Sequence, residues 1–521
     1  MEAERIEILD TTLRDGAQGE GVSFSVQDKL KVIAALDALG VTYIEAGNPF
    51  ASPRDAELFA YAAKHPVCKK AALAAFGATC RANAVAEEDA GLRALVESRA
   101  KVVSLFGKSS RFHVDCVLKV SPEENLRMIR DSVAYLTDAG QMVFFDAEHF
   151  FDGWQVDSEY AMETLLAAQK AGAQRLVLCD TNGGTMPDVI KRITHEVCQR
   201  TEVPVAIHCH NDSGMATACS MYGVMGGASQ VQGTINGLGE RCGNANLCEV
   251  IPNLVLKMGR KCLTDDELER LTPTARTISE IANLRMNRKS PYVGKSAFTH
   301  KGGMHIDGML KDSHTFEHIE PERVGNQRRF LVSEMAGRGA LMTRLKTVAP
   351  DIRKDSPEAA AIMDRLKALE AEGYTFEDAD GSLALRILGA LNRRVRFFDI
   401  LDFHVVSRKP EDDKNAQAYV KVRVGDRVEI TADEGDGPIN ALDCAVRKAL
   451  ARFYPSIESM KLIDFKVRVI SEAGTASRVR VHMESAGGGK TWSTVGVSGN
   501  IIEASFIALT DSIEYMLMSE S

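Results

Sequence analysis

The sequence predicts an α/β protein that begins with a TIM (β/α)8 barrel and continues through a helical linker or lid region into a C-terminal α+β domain. Two observations predict this order. Eight short apolar runs in the first half of the 521 residues are spaced widely enough for a helix between neighbours. The last part instead repeats a pattern of strands followed by a helix. We therefore expect domains at residues 1–275, 276–390 and 391–521.

The barrel prediction depends on the eight apolar runs taken in chain order. Each is short enough for a buried strand, and amphipathic stretches such as residues 26–39, which end at Gly40, fit helices between them. The predicted strands are residues 6–10, 42–47, 69–76, 102–107, 142–149, 175–181, 203–212 and 230–237. An open doubly wound sheet usually has fewer strands, so the count favours a closed barrel.

Polar residues gather where the predicted strands end. In a TIM barrel the carboxyl ends of all strands meet at one rim, which is where active sites lie. Packing alone does not explain so many polar side chains there, and the sequence therefore indicates an enzyme. The residues are Asp10, Arg14, Glu45, Glu148, Asp180, Thr181, His208, His210 and Asn236.

Composition and charge exclude several other classes of protein. Hydrophobic residues make up 45% of the chain and charged residues 26%, which is ordinary for a globular protein with large cores. A net charge of −9 argues against nucleic acid or an anionic membrane as the main partner. The 11 cysteines are scattered singly, and the N-terminus lacks an apolar targeting segment. We expect a cytoplasmic protein with reduced thiols.

The strongest chemical signal is His208-Cys209-His210 on the seventh predicted strand. Because strand side chains alternate between faces, both imidazoles point into the barrel mouth. Two histidines and a carboxylate from another strand suit a divalent metal, and Asp15 is the natural carboxylate. Asn244, in the amide-rich segment 239–247, could add a neutral oxygen. The alternative is a pair of histidines that are only hydrogen-bonded at a strand end.

Two spaced motifs carry a resemblance to a known family. Leu13-Arg14-Asp15-Gly16-x-Gln18 and His208-x-His210-Asn211-Asp212-x-Gly214 together resemble both signatures of the alpha-isopropylmalate/homocitrate/citramalate synthase family. The segments 147–153, 178–185, 232–254 and 291–305 are similar to its bacterial citramalate branch. The resemblance implies a metal-dependent barrel that joins acetyl-CoA to pyruvate, giving citramalate and CoA in isoleucine biosynthesis. The 2-isopropylmalate branch, which uses 2-oxoisovalerate, is the alternative.

The chemistry of such a condensation assigns further roles. A divalent metal such as Mg²⁺, Mn²⁺ or Zn²⁺ would polarise the ketone of the 2-oxo acid, and Arg14 would stabilise the developing alkoxide. By resemblance, Thr181 and Gln18 bind the substrate. We expect Glu148 to remove the methyl proton, because burial between an apolar wall and the metal would raise its basicity. The alternative for Glu148 is a structural carboxylate paired with a rim arginine.

A glycine-rich segment, residues 288–311, suits a lid or an arm more than a core. In relatives the second histidine of this motif reaches an active site, usually that of the partner subunit, so the resemblance makes His305 a proton-transfer residue. His300 would support it structurally, and an exposed histidine without a role is the alternative. Phe316 falls where several relatives have a tyrosine.

The C-terminal part contains an internal repeat. Phe403 recurs as Phe465, and Gly437 recurs as Gly499, each 62 residues later. Two units of strands followed by a helix predict a small α+β domain. By resemblance this is a regulatory module of a homodimer, with isoleucine as the expected effector. A dimerisation domain without a ligand is the alternative.

Two other classes of protein remain open from the sequence. A lyase that cleaves the carbon–carbon bond would share the metal barrel without needing the duplicated domain. A non-catalytic amino-acid sensor would need that domain but not the combination of Arg14, Asp15, His208 and His210. Four phenylalanines near strand ends fit a cramped apolar wall suited to pyruvate, namely Phe76, Phe106, Phe144 and Phe145.

Overall fold

The computed structural model describes residues 5–331, 345, 348–353, 356–407, 416–470, 477–488 and 490–520. The chain forms two compact units, and each is described by itself. The first comprises the residues up to Phe298 together with Ile319–Arg328, and the second comprises Thr299–His318 and the residues from Arg329 onward. The boundaries expected at residues 275 and 390 remain predictions.

The first unit is built on a closed barrel of eight parallel strands, which confirms the predicted TIM barrel. β1 closes it by pairing with both β2 and β8, so that Leu9 lies opposite Tyr43 on one side and Gln232 on the other. The strands β1 to β8 are Glu7–Asp10, Tyr43–Gly47, Ala72–Ala78, Val102–Lys108, Met142–Glu148, Arg175–Asp180, Val205–Cys209 and Gln230–Gly233.

Helices surround this barrel and follow the predicted alternation. The first begins at the capping box of Ser25 and Asp28 and ends at Gly40, whose φ of 93° is the left-handed stop expected from the sequence. The helices α1 to α12 are Val26–Leu39, Pro53–Ala62, Ala90–Glu97, Arg111–His113, Pro122–Asp138, Phe150–Val156, Ser158–Lys170, Pro187–Arg200, Ala216–Gly226, Leu247–Pro252, Asp265–Leu268 and Leu271–Ile281.

The barrel interior is apolar at its middle and polar at its rim. Strand side chains alternate, so Ile8 packs outward against the helices while Leu9 packs inward. The inner layer is closed by Leu9, Ala74, Val102, Phe144, Val177, Cys179 and Ala206. Because these side chains fill the interior, ligands can enter only at the rim where the strands end.

The second unit begins with a short arm and a helical region. β9, Thr299–His300, pairs with β10, Arg329–Phe330, and the helix between them is α13, Gly303–Lys311. Two further helices, α14 at Pro357–Ala371 and α15 at Asp380–Ala390, form the helical linker that the sequence predicts. Residues 332–344, 346–347 and 354–355, which belong to the predicted linker, lie outside the described residues.

The rest of the second unit consists of two β-then-α repeats, as predicted. Each is a three-stranded antiparallel sheet followed by a helix. The bulge between Ile400 and Asp402 recurs between Leu462 and Asp464, so the duplication preserves even an irregularity. The elements are β11 Asp399–Ser407, β12 Ala416–Val424, β13 Arg427–Gly435, α16 Pro438–Leu450, β14 Lys461–Val469, β15 Val479–Gly487, β16 Lys490–Ser498 and α17 Ile501–Glu520. None of the helices among the described residues has the length and apolar character needed to cross a membrane.

Candidate active site

A tight turn after β1 brings Arg14 and Asp15 to the rim of the barrel. The backbone N–H groups of Arg14, Asp15 and Gly16 all donate to the carbonyl oxygen of Thr11, at 3.1, 2.9 and 3.0 Å. Asp10 stabilises the turn from below, since it accepts from the backbone and the hydroxyl of Thr12. Burial raises the pKa of Asp10 to about 7. Asp10 therefore stabilises the turn that carries Arg14 and Asp15, and we do not assign it a role in the reaction.

The structure brings the three predicted metal ligands together. The Oδ2 atom of Asp15 lies 3.4 Å from Nε2 of His208 and 3.8 Å from Nε2 of His210. One potential ligand atom from each residue lies within 4.8 Å of the others, and all three residues are buried. Two imidazoles and a carboxylate at this spacing can hold a divalent cation.

Asn244 lies next to this cluster and has an unused oxygen. It forms an isolated β-bridge with His210, and its side-chain N–H donates to the carbonyl of Leu238 at 3.1 Å. Its Oδ1 atom is buried without a hydrogen-bond partner. A buried oxygen without a partner is costly unless it binds something, so this atom is compatible with the role predicted for Asn244 as a fourth oxygen donor, which stays a prediction.

Outer contacts fix the orientation of His208. Its Nδ1 atom lies 3.1 Å from Oε1 of Gln232, which accepts a hydrogen bond only if Nδ1 carries the proton. The lone pair of Nε2 then faces Asp15. Gln232 in turn donates from Nε2 to Asp146 at 3.5 Å. This supporting role of Gln232 and Asp146 was not predicted, although the alternation of side chains along β5 and β8 is the signal that could have placed both inside the barrel.

The electrostatics of the cluster favour a cation. Burial, together with the neighbouring His210, lowers the pKa of His208 to about 3, and burial also lowers the pKa of His210. Burial acts to raise the pKa of Asp15, but Arg14, His208 and His210 outweigh it and hold that pKa below its usual value. Two neutral imidazoles facing an ionised carboxylate are in the protonation state that metal binding requires.

Arg14 is held in one orientation by three contacts. Its Nε donates to Glu45 at 2.5 Å, its Nη1 lies 3.5 Å from Asp15, and its guanidinium lies 3.8 Å from the centre of the Phe76 ring. The other carboxylate oxygen of Glu45 is buried without a partner. Glu45 was expected at the rim but without a role, and the structure shows that it positions Arg14.

The four phenylalanines expected in an apolar wall do not all line the barrel mouth. Phe76 stacks on Phe106 with ring centres 5.1 Å apart, and through Phe76 this pair reaches Arg14. Phe144 belongs to the inner layer of the barrel, and Phe145 faces outward to the helices. The expectation was wrong for Phe145 because neighbouring strand residues point to opposite faces.

Glu148 ends β5 at the rim, but its surroundings differ from those expected. Its Oε2 pairs with the ammonium of Lys108, and its Oε1 lies 3.8 Å from Nε2 of His149. Its side chain is 24% exposed. The expected burial between an apolar wall and the metal was therefore wrong, and a lysine takes the place of the alternative rim arginine. A role as base stays a prediction.

The remaining predicted residues lie in three different places. Thr181 follows β6, and its Oγ1 accepts a hydrogen bond from the backbone N–H of His149 at 2.8 Å. Gln18 ends the 3-10 turn Gly16–Gln18, and its side chain is exposed. His305 is on α13 in the second unit, where its ring stacks on Phe316 with centres 4.1 Å apart. His300 in the same unit donates a hydrogen bond from Nε2 to Oε1 of Glu317 at 3.0 Å.

Three family models match the chain, and together they cover most of it. The HMGL-like model matches residues 5–278, the homocitrate synthase post-HMGL domain-like model matches residues 292–374, and the LeuA allosteric (dimerisation) domain matches residues 377–517.

Full-length relatives are similar to the chain throughout. An (R)-citramalate synthase of Aquifex aeolicus is 49% identical over 99% of both chains. An (R)-citramalate synthase of Geobacter sulfurreducens is 46% identical over 98% of this chain and 97% of its own. A probable 2-isopropylmalate synthase of Methanosarcina mazei is 31% identical over 100% of this chain and 97% of its own. The chain therefore belongs to the HMGL-like family, within the group that carries a LeuA allosteric domain and includes the (R)-citramalate synthases.

Proposed function

We propose that the protein condenses acetyl-CoA with pyruvate and hydrolyses the thioester, giving (R)-citramalate and CoA for isoleucine biosynthesis. The observation that carries the proposal is the buried cluster of Asp15, His208 and His210, with the orphan oxygen of Asn244 beside it. The relatives named (R)-citramalate synthase support the choice of substrates. A cytoplasmic location is part of the same proposal.

The four residues of the cluster would hold a divalent cation such as Mg²⁺, Mn²⁺ or Zn²⁺. When bound, the cation supplies Lewis-acid polarisation of the 2-oxo acid. Arg14 donates hydrogen bonds to the ketone oxygen as negative charge develops there. Glu45 and Asp15 keep the guanidinium ionised and prevent it from rotating away. Electrostatic preorganisation of this kind needs no rearrangement during the reaction.

Glu148 is the proposed base for the methyl group of acetyl-CoA. One of its oxygens pairs with the ammonium of Lys108, which holds the carboxylate at the rim, and its other oxygen lies outside that pair. Thr181 is the proposed ligand of the substrate carboxylate. Since its oxygen already accepts from His149, its O–H hydrogen is available to donate to that carboxylate. Gln18 at the rim would contact the substrate, and His305 would take part in proton transfer.

The preference for pyruvate is proposed to depend on Phe76 and Phe106. Phe76 stacks on Phe106 and contacts the guanidinium of Arg14, so the proposal places the side chain of the 2-oxo acid against this pair. Excluding a branched side chain by such contacts is worth about 1–3 kcal/mol per methyl-sized difference. The 2-isopropylmalate synthase reaction remains the second candidate, because a relative of that name spans the whole chain.

The second unit is proposed to be the dimeric regulatory module. The match to the LeuA allosteric (dimerisation) domain over residues 377–517 supports a homodimer. Isoleucine, the end product expected for a pyruvate-using enzyme of this family, is the proposed effector.

The direct test is the rate of CoA-thiol release from acetyl-CoA with Mg²⁺ or Mn²⁺. Pyruvate, 2-oxoisovalerate and 2-oxoglutarate are compared at equal concentration, with Asp15→Ala as the inactive control. We expect pyruvate to exceed the others about a hundredfold, which corresponds to about 2.7 kcal/mol. A larger rate with 2-oxoisovalerate would contradict the pyruvate assignment and favour the second candidate.

A further inference from the structure

His149, which directly follows the proposed base, adopts an unusual backbone conformation. Its φ of 57° and ψ of 34° lie in the left-handed region, which non-glycine residues adopt at an energetic cost. The backbone N–H of His149 donates to Thr181 at 2.8 Å, which stabilises this conformation. The chain therefore turns sharply after Glu148, and this turn directs the imidazole back toward the rim.

The imidazole of His149 lies between two carboxylates. Its Nε2 atom is 3.8 Å from Oε1 of Glu148, and its Nδ1 atom is 3.5 Å from Oδ2 of Asp152. Both distances are longer than a good hydrogen bond. A small rotation of the ring, or one bridging water molecule, would connect the ring nitrogens to the carboxylates. Nδ1 is buried without a hydrogen-bond partner. The side chain of His149 is 12% exposed, whereas that of Asp152 is 36% exposed.

A second histidine supports the ring of His149. His113 stacks on it with centres 3.6 Å apart and planes 13° apart. Burial, helped by His149 and Lys108, lowers the pKa of His113, which therefore stays neutral. The charged and titratable groups around the pair are Lys108, Glu148 and Asp152. A positive charge on His149 would face two carboxylates and a neutral ring, while Lys108 is paired with Glu148.

We propose that His149 is a relay residue, which carries the proton collected by Glu148 to Asp152 and to water. The proposal rests on the proposed function, because it assumes that Glu148 is the base. His149 acts through Glu148, so it is a positioning residue and not a catalytic one. Of the two oxygens of Glu148, one pairs with Lys108 and the other faces the relay.

The proton transfers balance in three steps. Glu148 removes a proton from the methyl group of acetyl-CoA and becomes a neutral carboxyl group. That proton moves to Nε2 of neutral His149, which restores the carboxylate and forms an imidazolium. The imidazolium releases its Nδ1 proton to Asp152, which exchanges it with water. The neutral ring then returns to its first tautomer by exchange with water, and no oxidant or other reactant is needed.

The test compares the full-length enzyme with His149→Asn and Asp152→Asn in the CoA-release assay. Asparagine tolerates the left-handed backbone but cannot carry a proton. We expect kcat of His149→Asn to fall roughly 10- to 100-fold, with KM for both substrates within about threefold, because direct acid–base catalysis contributes about 10²–10⁴. Added imidazole should restore part of kcat, and the acid limb of the kcat–pH profile should change.

Asp152→Asn gives a second, independent measurement at a side chain that is 36% exposed and accepts a hydrogen bond from Asn182 at 2.7 Å. Its kcat should fall less and should also rise with imidazole. The matched controls are His195→Asn and Asp115→Asn, exposed residues on α8 and on the segment after α4, which should keep wild-type kcat.

Each result supports or overturns the relay. A kcat for His149→Asn within twofold of wild type, or a loss that imidazole does not restore, would overturn it. If the wild type uses 2-oxoisovalerate instead of pyruvate, the proposed function is contradicted. The kcat values of the relay variants are then compared with 2-oxoisovalerate as the substrate, so the relay is still tested. A wild type inactive with every 2-oxo acid would contradict both.

Discussion

In most proteins apolar side chains are buried and polar side chains are exposed. The barrel rim and the C-terminal sheets depart from this pattern in opposite ways. At the rim, Asp15, His208 and Asn244 are polar and almost fully buried. In the C-terminal repeats, large apolar side chains are exposed in the single chain, namely Leu401, Val406, Val428, Ile430, Leu462, Ile463, Phe465, Val467 and Val469. Buried polar groups indicate a bound ligand, and exposed apolar surfaces indicate a protein partner. The residues proposed to carry out the reaction and the residues proposed to contact a partner thus belong to different parts of the chain.

The largest effect is expected at the carboxylate of the cluster. Asp15→Ala removes the anion that faces both histidines and contacts Arg14, so we predict a loss of turnover of at least about 10³-fold. The thermal unfolding midpoint should stay close to that of the wild type. The control is Asp138→Ala, an exposed carboxylate at the end of α5. Turnover of metal-loaded Asp15→Ala within about tenfold of the wild type would remove Asp15 from the proposed site.

A smaller effect is expected at the fourth donor. Asn244→Ala removes the orphan oxygen, and we predict that metal affinity falls about 10- to 100-fold while saturating Mn²⁺ restores most turnover. Titrating chelator-treated enzyme with Mn²⁺ measures this shift. Asn287→Ala, at an exposed turn, is the control. An unchanged Mn²⁺ midpoint would show that Asn244 does not bind the metal.

The C-terminal surface is tested by placing a charge on it. Val467→Asp, on strand β14, should weaken self-association at least about tenfold, about 1.4 kcal/mol, and reduce inhibition by isoleucine. Sedimentation velocity over a range of concentrations measures the first effect. Lys466→Ala changes the neighbouring residue on the opposite face of the strand and should leave association unchanged. Equal association of Val467→Asp and wild type would contradict an interface at this face.

The smallest effect is expected on stability, at a polar residue that has a structural role only. Asp37 accepts hydrogen bonds from the backbone N–H groups of Lys69, Lys70 and Ala71, which outweigh burial and lower its pKa. Because the pKa of Asp37 is lower in the folded state than in the unfolded state, ionised Asp37 stabilises the fold above about pH 4. This contribution to the free energy of unfolding is lost as the pH falls further. Asp37→Asn should cost about 1 kcal/mol at pH 7. Urea midpoints of both proteins should converge toward pH 3, and parallel curves would contradict this.

Much of the fold and part of the site could be predicted because they depend on local patterns. Alternating apolar runs gave the eight strands, and the spacing of His208 and His210 placed both rings on one face. The contacts missed from the sequence join residues far apart in the chain. Lys108 meets Glu148 across β4 and β5, and Gln232 meets Asp146 across the barrel. Such contacts depend on strand register and closure, which single-sequence patterns do not contain.

The stoichiometry of metal at the barrel rim tests the proposed metal site most directly. Chelator-treated wild type is titrated with Mn²⁺ while bound metal and CoA release are measured on the same samples, alongside His210→Ala. We expect one ion per chain, activity that rises in proportion to occupancy, and neither binding nor activity in the variant. CoA release at the untreated rate by metal-free wild type, or equally tight binding by His210→Ala, would contradict the proposed site.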